Sequence, residues 1–319
     1  MRAVRCSERG VQVVELPAPE GEGVRVRVAS AGICGSDLHM LDGGLALGRT
    51  LGHEIAGVLP DGRNVAIEPV DPCGRCDPCS AGDYNLCERG ASMLLGVGRD
   101  GGMADEVVAP ARSLVTLPAG VTARDACLVE PLAVAAHGLR LAAQVSGPGR
   151  LAVVGGGSIG LCAVAMARAG GAEVGLVARH AHQREAGRRL GAREPEGRYD
   201  LVVDAAGSAS ALERALELCR PGATLLLLAT YWEGKLTLPS FQVTLNEIRI
   251  VPSSMYSVAS AAGAGGEYRD VDAAAAALAG DPRIAETLIT HRFPLDAAAE
   301  AFEVARQRES GAIKVVLEP

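Results

Sequence analysis

Leu151-Ala152-Val153-Val154-Gly155-Gly156-Gly157-Ser158-Ile159-Gly160 is the stretch on which the fold turns. Four apolar residues read as a buried strand, a GxGxxG turn follows directly, and Ser158 to Arg168 continues with helical spacing. Gly155 permits a tight turn, Gly157 lets the backbone approach a pyrophosphate at the helix N-terminus beside Ser158 and Ile159, and Gly160 lets the helix pack closely on the strand. A merely structural glycine turn is the competing reading. The strand before it, the helix after it and four further strand signals favour a dinucleotide site.

Those further signals are Val174 to Val177, Leu201 to Val203, Thr224 to Leu228 and Ile248 to Val251, with a helix over Ala211 to Cys219. Buried strands alternating with helices predict a parallel, doubly wound sheet. Residues 1 to about 125 have a different texture. Val24 to Val28 alternates with period two, and Asp61-Gly62 separates Ile55–Leu59 from Asn64–Ile67 as a hairpin turn would, which predicts an antiparallel, barrel-like domain. Late in the chain come an alanine-rich helix around Ala273 to Ala277, the stretch Ile289-Thr290-His291, a helix over Leu295 to Arg306 and a strand over Ile313 to Leu317. They read as a return to the first domain. The expected division is residues 1–130 with 261–319 as one domain and 131–260 inserted as the other.

With 319 residues, 48% of them apolar, the chain suits a two-domain globular protein. A net charge of −7 without basic clusters argues against nucleic acid or anionic lipid as partner, and no apolar run is read as reaching the 18 or so residues of a membrane span. The opening MRAVRCSERG has no apolar signal core, so a cytoplasmic protein with reduced thiols is expected.

Four of the nine cysteines, Cys73, Cys76, Cys79 and Cys87, fall within fifteen residues, where even spacing would place about 0.4. Four thiolates closing a tetrahedron around zinc give a physical reason for that crowding. Disulfides are the alternative, disfavoured by the odd cysteine total. With all four positions filled, such a zinc would order a lobe that has no hydrophobic core of its own.

About twenty residues past the glycine turn, NAD-binding proteins place a carboxylate that holds the ribose hydroxyls. Here the second strand ends Leu176-Val177-Ala178-Arg179-His180. A carboxylate about 4 Å from a 2′-phosphate would repel it by about 4 kcal/mol at an effective dielectric near 20. Its absence, with Arg179, His180 and Arg184 nearby, favours NADP(H) over NAD(H). A solvated loop indifferent to the cofactor is the bland reading of Arg179 and His180.

Gly32-Ile33-Cys34-Gly35-Ser36-Asp37-Leu38-His39, Gly52-His53-Glu54 and Leu128-Val129-Glu130-Pro131-Leu132 share the logic of a second, open metal site. With the cysteine lobe, the nucleotide turn and the ending GAIKVVLEP, the chain resembles the zinc-dependent medium-chain dehydrogenases over nearly its full length, and their polyol and threonine branch more than the alcohol branch. The resemblance implies a GroES-like antiparallel β-barrel catalytic domain with an inserted Rossmann domain, two zinc ions per chain, and a homodimer or homotetramer, for which Leu236 to Leu238 is a candidate edge pairing. It implies Cys34 and His53 as ligands of the catalytic zinc, Glu54 as the adjacent carboxylate, and Glu130 as a fourth ligand or a hydrogen-bond partner of a zinc-bound water. By the same resemblance Ser36 and His39 carry a proton from the substrate hydroxyl towards solvent and Asp37 orients the histidine ligand. A turn serine and a surface histidine are the plain alternatives for the relay pair. Cys6, Cys127, Cys162 and Cys219 carry no motif and read as packing residues, and His137, His182 and His291 likewise.

Zinc can bring the pKa of an alcohol hydroxyl from about 16 towards 7, equivalent to about 12 kcal/mol. The reaction so implied is reversible hydride transfer between a secondary alcohol, polyol or carbonyl and nicotinamide, across an interdomain cleft. Pocket specificity is expected from loop residues, with Met40, Leu41, Met93, Leu94 and Leu95 as candidates. Two rival classes are a zinc-independent double-bond reductase of the same superfamily, which would lack the Cys34, His53 and Glu54 set, and a non-catalytic NADP(H)-binding regulatory protein.

Overall fold

The computed structural model describes residues 1–8, 10–146, 149–232, 234–260 and 267–319. The chain divides into two compact units, Met1–Glu130 with Ser257–Pro319, and Pro131–Tyr256. The return point expected at residue 261 falls in 261–266, outside the described residues.

The first unit opens with an antiparallel hairpin of β1 (Arg2–Ser7) and β2 (Gly10–Glu15). In β3 (Val24–Gly32), Val26 and Val28 are buried while Arg25 and Arg27 are exposed, so the period-two pattern becomes one wet and one dry face. A short helix, α1 (Gly35–Asp42), leads to the hairpin of β4 (Glu54–Val58) and β5 (Asn64–Ile67), whose turn uses Gly62 at φ +87°. The cysteine lobe, with α2 (Asp77–Ser80), precedes β6 (Glu106–Ala109) and β7 (Leu114–Thr116). From here α3 (Val129–Ser146) carries the chain onward.

In the second unit, β8 (Leu151–Val154), α4 (Ser158–Ala169), β9 (Val174–Val177), α5 (Ala181–Arg189), β10 (Tyr199–Asp204), α6 (Ala209–Leu218), β11 (Cys219–Leu227), α7 (Ser240–Leu245) and β12 (Arg249–Pro252) build a parallel sheet in the order β12-β11-β10-β8-β9. Outside β9, Arg193 alone bridges Gly175 in parallel: its amide donates to Val174 O at 2.9 Å, and Leu176 N donates to its carbonyl at 2.9 Å. A doubly wound sheet of order 3-2-1-4-5-6 would have its third strand there. Only residues 190–198 separate α5 from β10, and Pro195 and Gly197 lie among them, so that strand shrinks to one residue and its helix is missing. On α6, Leu212, Ala215 and Leu216 form the buried stripe against the sheet, and Ser208 Oγ caps the helix by accepting from Ala211 N at 3.3 Å.

The chain then rejoins the first unit as the antiparallel pair β13 (Val258–Ser260) and β14 (Glu267–Arg269), followed by α8 (Asp270–Gly280), α9 (Arg283–Leu288), β15 (Ile289–Pro294), α10 (Ala298–Arg306) and β16 (Lys314–Glu318). The main sheet of this unit runs β15-β16-β3-β4-β5-β7, with β6 added to β3, so it divides around one strand. It wraps a core that includes Val26, Val28, Ile55, Ile67, Met103, Phe302 and Leu317. Each such side chain contributes about 1.5–3 kcal/mol when fully buried.

One expectation needs correction. Ala126–Val145 is long and apolar enough by composition to cross a membrane, which the sequence reading overlooked; 61% of that window is buried inside the protein, the mark of a core helix. Leu236 to Leu238, the candidate for an edge pairing between subunits, is irregular within the single chain. Of the residues suggested as pocket lining, Met40, Met93 and Leu95 are buried, Met40 and Leu95 among the core residues of the first unit, while Leu41 and Leu94 are half-buried.

Candidate functional site

In the cysteine lobe, Cys76 Sγ lies 3.4 Å from Cys79 Sγ and 3.9 Å from Cys87 Sγ, and Cys73 Sγ lies 3.9 Å from Cys79 Sγ. These spacings are too long for a disulfide. They bracket the edge of about 3.8 Å that a tetrahedron with metal–sulfur bonds of 2.3 Å requires. Amides of Arg75 and Cys76 point at Cys73 Sγ and pull that thiol down to about 6, while burial pushes Cys79 up to about 12. Backbone donors thus stabilise thiolate charge at Cys73, and at Cys87, whose pKa is lowered by the Cys73 amide, whereas Cys79 needs a cation to ionise. The donor set fits zinc.

Tyr84, from the same lobe, donates its hydroxyl to Glu68, and Arg269 of β14 approaches the other Glu68 oxygen at 3.5 Å. Sequence reasoning missed this trio. Burial pushes the Glu68 carboxyl up to about 6.

Three adjacent strands assemble the mixed cluster. β3 ends at Gly32, two residues before Cys34; β4 begins at Glu54, opposite Gly32; and β16 flanks β3 on its other side, with Val316 opposite Gly32. Gly52, at φ +99°, turns the chain into His53, and a Cβ there would meet Met103 N at 2.8 Å. Ligand atoms of Cys34, His53 and Glu54 consequently lie within 4.8 Å of one another. The helix α1 starts at this point. Cys34 is its N-cap, and its amide donates to Asp37 Oδ2 at 2.9 Å, as an acidic third residue does in a capping box. Asp37 Oδ1 faces His53 Nδ1 at 3.5 Å, and Ser36 Oγ lies 3.2 Å from His53 Nε2. Burial opposes a charged His53, yet the fields of Asp37 and Cys34 outweigh it and hold the imidazole well above its ordinary value. Such a site attracts a cation. One thiolate, one imidazole and one carboxylate are zinc-binding chemistry, so these residues fit the metal.

His39 lies one turn after Ser36 on α1 and is exposed, whereas Ser36 is half-buried. Glu130 sits in the first turn of α3, half-buried, and among the described residues it does not join the Cys34, His53 and Glu54 group. Lys314, which the sequence reading passed over, reaches Glu54 Oε1 at 2.6 Å. Its signal was legible: a lysine in the apolar run IKVVL must either leave the sheet face or find a partner.

The nucleotide turn stands in the second unit. Gly155 adopts φ +115°, and a Cβ on Gly160 would come within 1.9 Å of Gly155 O. A Cβ on Gly157 would meet nothing within 4 Å, so space remains where a pyrophosphate would approach. Ser158 Oγ, at the N-terminus of α4, is buried without a hydrogen-bond partner, and Ile159 is half-buried beside it. This cradle fits a dinucleotide phosphate. At the end of β9, Arg179 is exposed and His180 caps α5 with its ring stacked 5.5 Å from that of His182. Arg184 Nη1 donates to Ala178 O at 3.0 Å and Arg179 O at 2.9 Å, bracing the strand end.

Two family profiles match the chain: the alcohol dehydrogenase GroES-like domain over residues 20–119, and the zinc-binding dehydrogenases over residues 158–265. The chain is similar to the L-galactonate-5-dehydrogenase of Escherichia coli K12, at 30% identity over 321 residues covering 91% of this chain and 89% of that protein. Among solved structures, a protein described as a zinc-binding dehydrogenase from Sinorhizobium meliloti 1021, bound to NADP, gives a TM-score of 0.84 at 28% identity, covering 100% of this chain and 99% of that one. An alcohol dehydrogenase from Escherichia coli CFT073 complexed with NADH gives 0.84 at 27% identity, again over 100% and 99%.

Proposed function

This chain belongs to the zinc-dependent medium-chain alcohol dehydrogenase family, and from that premise we propose that it is a zinc enzyme that oxidises secondary alcohols or polyols with a preference for NADP(H). As an oxidoreductase acting on CH–OH donors it takes small-molecule substrates. The observation that carries the zinc reading is the convergence of Cys34, His53 and Glu54. When bound, zinc supplies a Lewis acid that eases ionisation of the substrate hydroxyl, and the nicotinamide supplies the hydride acceptor.

The chain's own residues do the rest. Cys34 and His53 hold the metal, with Glu54 and Glu130 as its carboxylate neighbours. Asp37 keeps the His53 ring turned so that Nδ1 faces it and Nε2 is presented to the cluster. Ser36 would accept the proton of the substrate hydroxyl while releasing its own towards His39, which, one turn on and exposed, would pass a proton to water. Gly155, Gly157, Ser158, Ile159 and Gly160 hold the pyrophosphate on the α4 N-terminus. The name of the Escherichia coli relative places dehydrogenation at carbon 5 of a sugar acid, which supports a secondary hydroxyl as the target.

From Val174 to Arg184 there is no carboxylate, and Arg179 is exposed at the strand end, which supports NADP(H). All nine cysteines are free thiols, which supports a cytoplasmic enzyme, and we expect a homodimer or homotetramer. Initial rates with NADP and NAD on polyols and secondary alcohols test the reading. In Arg179→Ala the KM for NADP should rise about tenfold, as expected for loss of one phosphate-pairing guanidinium, with that for NAD unchanged. An equal change for both cofactors, or none, would refute the preference.

A further inference from the structure

Only residues 190–198 connect α5 to β10, and they are held at the end of the sheet away from the glycine turn. Arg150, directly before β8, donates from Nη2 to Glu196 O at 2.6 Å and from Nη1 to Arg198 O at 3.1 Å, and its guanidinium lies 4.7 Å from the centre of the Tyr199 ring. Tyr199, the first residue of β10, accepts at its hydroxyl from Glu196 N at 2.9 Å. By Pro195 the chain has already turned back, since a Cβ on Gly175 would stand 3.2 Å from Pro195 Cα. Pairing on the outer edge of β9 therefore ends at Leu176, whose amide donates to Arg193 O at 2.9 Å. Nucleotides bind at the opposite, carboxyl ends of such strands. There Ala178 is half-buried, Arg179 is exposed, and His180 is occupied as the cap of α5 with its ring stacked 5.5 Å from that of His182. On the other side of the glycine turn, where a Cβ on Gly155 would meet Ala206 N at 3.0 Å, the chain runs Ala205-Ala206-Gly207-Ser208-Ala209-Ser210, with no side chain larger than serine.

We propose that the adenine ring of the bound coenzyme is left unclamped, so that the protein takes 2′-phosphorylated nicotinamide dinucleotides whatever their purine base. The proposal rests on the reading of the glycine turn and Arg179 as an NADP(H) site. A base is selected by walls that stack on its faces and by polar groups that pair with its edge. The third strand and its helix, which would supply the outer wall, are reduced to Arg193, and the inner wall offers only small side chains. A site that leaves the edge of the base in solvent gains nothing from the 6-amino group and has nothing to collide with added bulk. Affinity on this side then comes from the 2′-phosphate meeting Arg179 and from the pyrophosphate on the α4 N-terminus.

Two base-altered coenzymes test this on the unaltered protein. Nicotinamide hypoxanthine dinucleotide phosphate carries an oxo group in place of the 6-amino group, and etheno-NADP carries a third ring fused across the edge that a clamp would hold. Each should bind within about fivefold of NADP in direct titration. Etheno-adenine fluoresces, and acrylamide should quench it in the complex with at least about a third of the rate constant found for the free analogue, since one face and the edge stay open to diffusion. Weaker binding of either analogue than that fivefold margin, or quenching below that third, would overturn the proposal. Failure of the underlying reading looks different. In that case NADP itself would not bind, or 2′,5′-ADP would compete with it no better than 5′-AMP does.

Discussion

Asp37, fully buried, serves two residues of the mixed cluster, accepting from the Cys34 amide at 2.9 Å and facing His53 Nδ1 at 3.5 Å. One carboxylate on the first turn of α1 thereby ties the Cys34 backbone to the orientation of the ring that stands just ahead of β4.

Asp37→Asn should accordingly lower affinity for the catalytic metal by about 10–100-fold, the usual cost of losing a residue that orients a ligand. The helix cap should survive in part, since an amide oxygen can still accept from Cys34 N. Chelator competition checks this, with the cysteine lobe as internal control. Zinc release at the wild-type rate would show that Asp37 does not orient His53.

Gly32→Ala tests the packing around Glu54. The added Cβ would lie 2.0 Å from Glu54 Oε2 and 3.1 Å from Cδ, so the carboxylate must move or the strands must part. Overpacking of this kind costs about 1–3 kcal/mol. We expect a lower melting temperature and loss of the catalytic zinc alone, so that metal content falls from two ions per chain to one. A variant as stable as wild type with both ions retained would contradict the crowding.

Glu68 gives a pH dependence with a definite sign. Burial raises its carboxyl from 4.5 to about 6, against the pull of the Tyr84 hydroxyl and Arg269. The native chain therefore keeps a proton there that the unfolded chain has already released, so this group's contribution is fully present below 4.5 and is lost as pH rises through 6. The loss amounts to about 2 kcal/mol. Glu68→Gln should match wild type near pH 4.5 and exceed it at pH 8, in denaturant midpoints measured across that range. A variant that loses ground on wild type as pH rises would reverse the sign and sink the argument.

The sequence was most legible where burial was complete and punctuation sharp. Leu151–Val154 and Val174–Val177 match their strands to the residue: the first is an apolar run stopped by Gly155, and the second is a short buried run that starts directly after Glu173. β11 begins at Cys219, earlier than its apolar run, because Cys219 already pairs with Tyr199, and Pro221 and Gly222 fall in the irregularity before pairing resumes at Thr224. α1 was hidden by Gly35, Ser36, Asp37 and His39, which break any apolar stripe, and α3 by being apolar around most of its circumference. The three residues of the mixed cluster came from a resemblance, and the structure brings them together. Lys314 stands 260 residues from Glu54, and only the register of β16 on β3 and β3 on β4 brings it there.

Hydride transfer that requires the mixed cluster is the central claim, and the absorbance of reduced nicotinamide at 340 nm measures it directly. Purified protein given NADP and a panel of polyols and secondary alcohols should reduce the cofactor with at least one of them. Cys34→Ala, with its cysteine lobe still holding zinc, should lose that turnover by at least a hundredfold, the scale of removing a Lewis acid worth several kcal/mol. Full turnover in Cys34→Ala, or NADP binding with no reduction by any substrate of the panel, would contradict the account.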